Sequence, residues 1–209
     1  MTPPADSLEM EPERQDAVPR VKRHLPAEEG VWVFILGDMM VFSLFFLVFM
    51  YYRNQDIPTF VESQATLNLH YGALNTMLLL TSSWFVALAL RSVRHNWPTH
   101  AARLIALAGA CGVGFVIVKF VEYGEKIRAG LVLTTNDFYM YYYVFTGVHF
   151  LHLLIGLGVL IFLWFKARAG APAGGYTQRD IQTFEGGAAY WHMVDLLWIV
   201  LFPLIYLVK

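Results

Sequence analysis

The chain has 209 residues, of which 57% are hydrophobic and 15% charged, with a formal net charge of −1 at pH 7. Such an apolar composition excludes an ordinary water-soluble domain and indicates a membrane protein. The near-zero net charge, without any basic stripe, excludes a nucleic-acid partner. The single cysteine, Cys111, excludes an intramolecular disulfide.

The first 29 residues differ in composition from the rest of the chain. They contain five prolines and seven acids with few apolar groups. A segment of this kind cannot bury enough apolar surface to fold, so we predict a disordered tail over residues 1–29. It has no apolar run before a cleavage site, which excludes a secretory signal. Residues 30–209 form the second predicted region.

Five apolar stretches follow the tail. Each is close to the roughly 20 residues that a helix needs to cross a bilayer. The sequence therefore predicts an all-α, polytopic membrane protein, a bundle of five transmembrane helices. The five stretches are Val31–Tyr52, Tyr71–Leu90, Leu104–Tyr123, Tyr139–Phe165 and Gly187–Val208.

The distribution of lysine and arginine predicts the orientation of this bundle. The tail and the loops after the second and fourth stretches together carry ten such residues, whereas the opposite side carries four. Because positively charged segments stay in the cytoplasm, we expect a cytoplasmic N-terminus and a C-terminus outside.

Local signals predict one helix start and several close helix contacts. Thr135 and Asn136 precede the fourth stretch as candidate N-caps, and Asp137 favours the positive end of a helix there. Small residues let membrane helices approach one another, so glycines in the third and fourth stretches predict tight packing. These glycines are Gly109, Gly112, Gly114, Gly147, Gly156 and Gly158.

Three ionisable residues lie in the inner half of the first and fifth stretches. Asp38 is about seven residues, or roughly 10 Å, from the inner end of its helix, and His192 and Asp195 lie at a similar depth. We therefore expect one cluster of the three if these helices meet. The cluster is either a proton-exchanging or lipid-headgroup site, or a structural hydrogen bond between helices, because unpaired charge is costly in lipid. For His192 and Asp195, which share one helix face, structural fixation is favoured.

Two further pairs share a helix face. Lys119 and Glu122 either neutralise each other near the outer boundary, or Lys119 snorkels to the interface. His149 and His152 lie near mid-bilayer and could in principle ligate haem or a metal, but hydrogen-bonded core histidines are favoured. No nucleotide loop and no nucleophile beside a base is present. We therefore predict no catalytic, cofactor-binding or metal-binding residue in this chain, and a membrane subunit rather than a self-sufficient enzyme.

Five ordered motifs resemble subunit III of the haem–copper respiratory oxidases. FEGGAAYWHMVDLLWIVLF begins at Phe184 and FTGVHFLHLLIG at Phe145. KFVEYGE begins at Lys119, ALNTMLLLTSSW at Ala73 and LGDMMVFSLFF at Leu36. Together they cover the chain from Val31 to its C-terminus and look like a short, five-span bacterial form of the family.

The resemblance implies a subunit without a redox centre in the bacterial inner membrane. Haem, with copper or non-haem iron, then belongs to a partner catalytic subunit. This chain would hold phospholipid and support sustained turnover and proton uptake by the partner. Two positions depart from the family pattern: Asp38 replaces a common Glu, and Lys119 replaces a common neutral amide. The matched polar positions are Asp38, Glu122, His149, His152, Glu185, His192 and Asp195.

Part of the sequence looks closer to one branch of this family. TSSWFVALAL, the run from Lys119 to Glu122 and the ending WIVLFPLIYLV are similar to the accessory protein of nitric oxide reductase. The leading expectation is therefore an accessory subunit for nitric oxide reductase in denitrification. The alternative is subunit III of an aerobic cytochrome c or quinol oxidase. Readings of another class are a b-haem protein using His149, His152 or His192, and a proton-coupled transporter using Asp38 with Lys119 and Glu122.

Overall fold

Six helices make up the part of the chain that the structure, a computed structural model, describes: residues 29–171 and 175–208. No strand occurs in these ranges. The helices are α1 (Glu29–Gln55), α2 (Ile57–Ala65), α3 (Leu69–Arg94), α4 (Pro98–Arg128), α5 (Asp137–Arg168) and α6 (Gln178–Tyr206).

Five of these helices, α1 and α3 to α6, are long and apolar enough to cross a membrane. This confirms the predicted all-α fold with five spanning helices. The predicted disordered tail lies outside the described residues, apart from Glu29, which begins α1. The side of the membrane that holds the N-terminus stays a prediction.

The helices pack as a ring of four with a fifth at its edge. α3 packs along α4, α4 along α5, α5 against α6, and α6 against α3. α1 packs mainly on α6 and contacts α2 and α5 over shorter lengths. In the most apolar stretch of α6 half of the residues are buried, compared with 11% in the corresponding stretch of α1. The core therefore lies within the ring, and α1 is peripheral.

The short helix α2 was not predicted, because nine residues are too few to cross a bilayer. Its Phe60 ring packs edge to face against Phe49 of α1 and Phe138 of α5. At its end, the Gln64 side-chain nitrogen donates to the Ile205 carbonyl over 3.0 Å. α2 therefore ties the ends of α1, α5 and α6 together.

The start of α5 follows the sequence prediction in part. The Asn136 side chain accepts a hydrogen bond from the Tyr139 backbone N–H over 3.0 Å, and Asp137 lies in the first turn. This confirms Asn136 as the N-cap. Thr135 has a different role, because its hydroxyl accepts from the Val132 N–H within the preceding turn.

Trp191 of α6 fills the space where α4 and α5 approach each other. A Cβ atom added to Gly156 would lie 2.9 Å from the indole ring, and one added to Gly112 would lie 3.0 Å from it. Close packing is therefore confirmed at these two glycines. The prediction of close packing is wrong at three other glycines, where a Cβ atom would meet nothing within 4 Å: Gly109, Gly147 and Gly158.

Candidate functional site

Asp38 of α1 pairs with His152 of α5. Asp38 Oδ1 lies 3.1 Å from His152 Nε2, and the other ring nitrogen of His152 lies 2.8 Å from the Val148 carbonyl. With Nδ1 directed to that carbonyl, the opposite ring nitrogen, Nε2, faces the Asp38 carboxylate. Asp38 Oδ2 is buried without a hydrogen-bond partner among the described residues.

The expected cluster of Asp38 with His192 and Asp195 is therefore wrong. All three residues lie in the helices predicted for them, but they turn to different neighbours. Asp38 faces α5, whereas the His192 ring faces α3, where its Nδ1 lies 2.6 Å from the Ser83 hydroxyl. Equal depth along two helices did not bring the side chains onto facing surfaces.

Ser83 links the two ionisable residues of α6 to α3. Besides contacting His192, the serine hydroxyl interacts with the Asp195 carboxylate. Asp195 is buried, and its Oδ1 has no hydrogen-bond partner within the described ranges. Ser83 was not predicted as a polar partner, because hydroxyl residues in a membrane helix indicate packing by default.

Lys119 and Glu122 form a buried ion pair in α4. The Lys119 Nζ lies 2.8 Å from Glu122 Oε2, and the exposed side-chain fractions are 2% and 0%. This excludes the alternative in which Lys119 snorkels to the interface. Tyr206 of α6 completes the group: its hydroxyl donates to Glu122 Oε1 and lies 3.1 Å from Lys119 Nζ.

Aromatic rings enclose this ion pair. The Lys119 ammonium lies 4.8 Å from the centre of the Trp198 ring, and three tyrosine rings lie at 5.4 to 5.7 Å. Ring faces attract a cation, so they replace part of the hydration that Lys119 loses in the core. No sequence signal joined Tyr206 to this pair, because it lies on a different helix. The three tyrosines are Tyr123, Tyr142 and Tyr206.

His149 lies beside this aromatic group and has no exposed surface. Its ring packs against Phe115 at 5.7 Å and Trp198 at 5.2 Å, and neither ring nitrogen has a partner among the described residues. His152, one turn away, is directed to Asp38 instead. The two histidines therefore do not converge on one ligand. Nor do the described residues bring together three or more His, Cys, Asp or Glu side chains that could hold a metal.

Glu185 lies at the edge of a cavity between α1, α3 and α6. Its Oε1 lies 2.7 Å from Arg94 of α3, which makes an ion pair between α6 and α3. The cavity measures about 500 Å³ and is bounded by α1, α3 and α6, with Trp32, Met39 and His192 among its walls. Its lining is mostly apolar, and its single arginine is already neutralised by Glu185.

The paired residues among the predicted site residues thus occupy four separate places. They are Asp38 with His152, Lys119 with Glu122, Arg94 with Glu185, and His192 with Asp195 around Ser83. Each place is a contact between helices or within one helix. This arrangement suits helix fixation and local proton exchange better than a single reaction centre.

Comparisons with known proteins define the family. The family model for cytochrome c oxidase subunit III matches residues 19–209. Cytochrome c oxidase subunit 3 of Synechocystis sp. is 29% identical over 178 residues, which cover 85% of this chain and 74% of that protein. Quinol oxidase subunit 3 of Bacillus subtilis is 27% identical over 182 residues, 85% of each chain.

A longer relative is the heme-copper oxidase subunit I+III of Aeropyrum pernix. It is 29% identical over 190 residues, which cover 86% of this chain and 22% of that protein. The family match spans nearly the whole chain, so this protein belongs to the cytochrome c oxidase subunit III family. The resemblance drawn from its motifs is confirmed. The names of these relatives give no support to the nitric oxide reductase branch and favour the aerobic oxidase alternative.

Proposed function

We propose that this protein is a non-catalytic subunit III of an aerobic haem–copper terminal oxidase in the bacterial plasma membrane. The observation that carries this proposal is the family match over residues 19–209. The relatives named as subunits of cytochrome c and quinol oxidases support the aerobic assignment. The electron donor, cytochrome c or quinol, is left open.

The partner in this proposal is the catalytic subunit I. The Aeropyrum pernix relative bears subunits I and III in its name as one polypeptide, which supports a stable association of the two modules. Haem and copper then reside in subunit I.

The contribution of this chain is to sustain turnover and proton uptake by its partner. Its ring of four helices is an apolar scaffold, and the Lys119–Glu122 ion pair is buried inside it. A phospholipid held by this scaffold belongs to the same proposal. The proposed orientation has the N-terminus in the cytoplasm and the C-terminus outside, as the lysine and arginine count predicts.

Co-purification tests the proposal. The tagged full chain is isolated from membranes in mild detergent, associated chains are identified, and an absorption spectrum is recorded. We expect a haem-containing subunit I of an aerobic oxidase, and no stoichiometric Soret band once this chain is separated from it. Recovery of nitric oxide reductase chains would assign the protein to that branch of the family. A Soret band in the isolated chain would overturn the accessory role.

Two matched glycine variants control for folding. Gly158→Leu introduces a side chain into open space and should co-purify with subunit I as the unchanged chain does. Gly156→Leu collides with Trp191 and should lose the partner. If both variants retain subunit I equally, the association does not depend on the folded bundle.

A further inference from the structure

Basic side chains gather at one end of the bundle, where α3 and α5 end and α4 and α6 begin. These four helix ends carry six arginines and lysines but only two acids, Asp180 and Glu185, so positive charge exceeds negative charge by four. Asp180 pairs with Lys166, and Glu185 pairs with Arg94. The other four bases make no ion pair with an acid among the described residues. They are Arg91, Arg103, Arg168 and Arg179.

A cavity at this end, here called the basic pocket, brings two of these arginines together. It measures about 300 Å³, lies between the start of α4 and the end of α5, and is lined by Pro98, Thr99, Arg103, Trp164 and Arg168 among others. The Arg168 guanidinium lies 5.0 Å from the centre of the Trp164 ring, where the ring face attracts the cation and holds it at the pocket. Both arginines are exposed. The pocket therefore complements an anion.

The start of the chain carries the complementary charge. Residues 6–16, here called the acidic segment, contain five acids and one base, so negative charge exceeds positive charge by four. This excess equals the positive excess at the four helix ends. The acidic segment lies outside the described residues. Its charged residues are Asp6, Glu9, Glu11, Glu13, Arg14 and Asp16.

The chain enters the bundle close to the basic pocket. Gly30 and Val31 of α1 line a cavity together with Val159 of α5. The basic pocket lies on the side of the same helix that packs on α4. From Val159 to Arg168 the rise along α5 is about 14 Å, and a helix with its side chains is about 10 Å across. The start of α1 and the pocket are therefore separated by little more than one helix end.

The linker between the acidic segment and α1 is long enough to cross this distance. It consists of the twelve residues 17–28. An extended chain covers about 3.3 Å per residue, so this linker can span up to about 40 Å. Because the segment is tethered, its effective concentration at the pocket is in the millimolar range. Ion pairs that are weak one by one can therefore keep it bound.

We propose that the acidic segment docks in the basic pocket of its own chain. Its carboxylates pair with Arg103 and Arg168 and close the pocket to other anions. Because the contact is made by exposed charges, rising salt concentration releases the segment and opens the pocket. The tail and the pocket lie at the same end of the bundle. The contact therefore depends neither on the side of the membrane that holds the N-terminus nor on the partner oxidase.

Zero-length coupling on the purified full chain tests the contact. Arg168→Lys keeps the positive charge and supplies an amine, which a water-soluble carbodiimide joins as an amide to a carboxylate that touches it. Digestion and mass spectrometry identify the joined peptides. We expect a link from the acidic segment to position 168, and likewise to position 103 in Arg103→Lys. Arg91→Lys is the matched control and should give clearly less of the link, since Arg91 is exposed at the same end but does not line the pocket.

Removal of charge should weaken the link in proportion to the ion pairs lost. In the Arg168→Lys chain, the further change Arg103→Gln should lower the yield about fivefold, the effect of one exposed ion pair. Salt at about 0.5 M should lower it as well. Replacement of Glu9, Glu11 and Glu13 by Gln should remove most of it. The circular dichroism of these variants should match that of the unchanged chain, because Arg103 and Arg168 are exposed.

A charge swap separates docking from chance encounters. Replacement of Glu9, Glu11 and Glu13 by Lys in an otherwise unchanged chain should give no link to the pocket. The same tail combined with Arg103→Glu and Arg168→Glu should restore the link, because the carboxylates are now in the pocket and the amines in the tail. No restored link in a folded chain would contradict pairing at this place.

Four further results would overturn the proposal. Equal yields from Arg91→Lys and Arg168→Lys would show that the tail contacts the whole end without preference. A link confined to Lys22 would show that the acidic segment pairs within the tail. In a mixture of ¹⁴N- and ¹⁵N-labelled chains, links between differently labelled peptides would assign the pocket to the tail of a second copy. Loss of the link in nanodiscs that contain phosphatidylglycerol, but not in phosphatidylcholine nanodiscs, would assign the pocket to a lipid headgroup. The chain is tested without subunit I, so failure here leaves the co-purification result unaffected.

Discussion

Lys119 and Glu122 form a 2.8 Å ion pair whose two side chains have almost no exposed surface. In a buried pair of this kind, the attraction between the charges offsets the free-energy cost of their desolvation only while both charges are present and hydrogen-bonded. Tyr206 and the surrounding rings supply the remaining contacts. The pair therefore makes its two residues strongly interdependent.

The first prediction concerns this interdependence. Lys119→Met alone should lower the free energy of unfolding by about 3 to 5 kcal/mol, because Glu122 keeps a buried charge without its cation. The double variant Lys119→Met with Glu122→Gln should recover most of that loss. Thermal unfolding in detergent gives the stability of the unchanged chain, the single variant and the double variant. Additive losses in the double variant would show that the two residues act independently.

The second prediction concerns the link between α1 and the bundle. Asp38→Asn keeps an amide whose nitrogen can donate to His152 Nε2 and should leave α1 docked, whereas Asp38→Leu removes the contact. Hydrogen exchange over α1 should rise in the leucine variant only. Partner turnover should be altered but not abolished by Asp38→Asn. Complete loss of turnover in an intact complex would give Asp38 a role beyond helix fixation.

The third prediction concerns the polar contact of α6 with α3. Asp195→Leu removes the interaction with Ser83 and should lower stability in detergent by about 1 kcal/mol, the net contribution of one hydrogen bond. Ser83→Ala, which removes the contact with His192 as well, should have the larger loss. Oxidase activity of the assembled complex should persist in both. A stable Asp195→Leu variant without turnover would indicate proton transfer through Asp195.

The fourth prediction concerns helix packing. Gly156→Ala places a methyl group 2.9 Å from the Trp191 ring and should cost about 1 to 3 kcal/mol, because this rigid buried ring has little room to move. Gly158→Ala meets no neighbour and should be neutral or slightly stabilising. Unfolding of the two variants under identical detergent conditions gives the comparison, and equal stability would contradict the packing described for Trp191.

The fifth prediction concerns orientation. With Cys111 replaced by Ala, single cysteines are introduced at Thr134, between α4 and α5, and at Ala169, after α5; both positions are exposed. A thiol reagent that cannot cross the membrane should label Thr134→Cys in intact cells. It should label Ala169→Cys only after permeabilisation. The reverse pattern would invert the proposed topology.

The spanning helices could be predicted from the sequence because bilayer thickness imposes a minimum apolar length that each of them satisfies. The cap at Asn136 could be predicted because its hydrogen bond is local in sequence. The nine-residue α2 could not, since it is too short for that criterion and is held by contacts with Phe49, Phe138 and Ile205 from distant parts of the chain.

The side-chain partners were harder to predict. Depth along a helix follows from residue count, but the direction around the helix axis relative to a neighbour does not, so Asp38 was matched to the wrong helix. The spacing of Lys119 and Glu122 permitted both an ion pair and snorkelling, and burial by α6 decided between them. Gly109 and Gly112 differ by three positions, yet only Gly112 meets the Trp191 ring.

The peripheral packing of α1 has a consequence for biosynthesis. α1 leaves the ribosome before the other described helices, but its main neighbour, α6, is the last of them. During synthesis α1 must therefore wait in the lipid, which its largely apolar surface permits, until α6 has been inserted. Until α5 has been inserted, the Asp38 carboxyl group lacks His152, so late docking of α1 is a built-in step of membrane insertion for this chain.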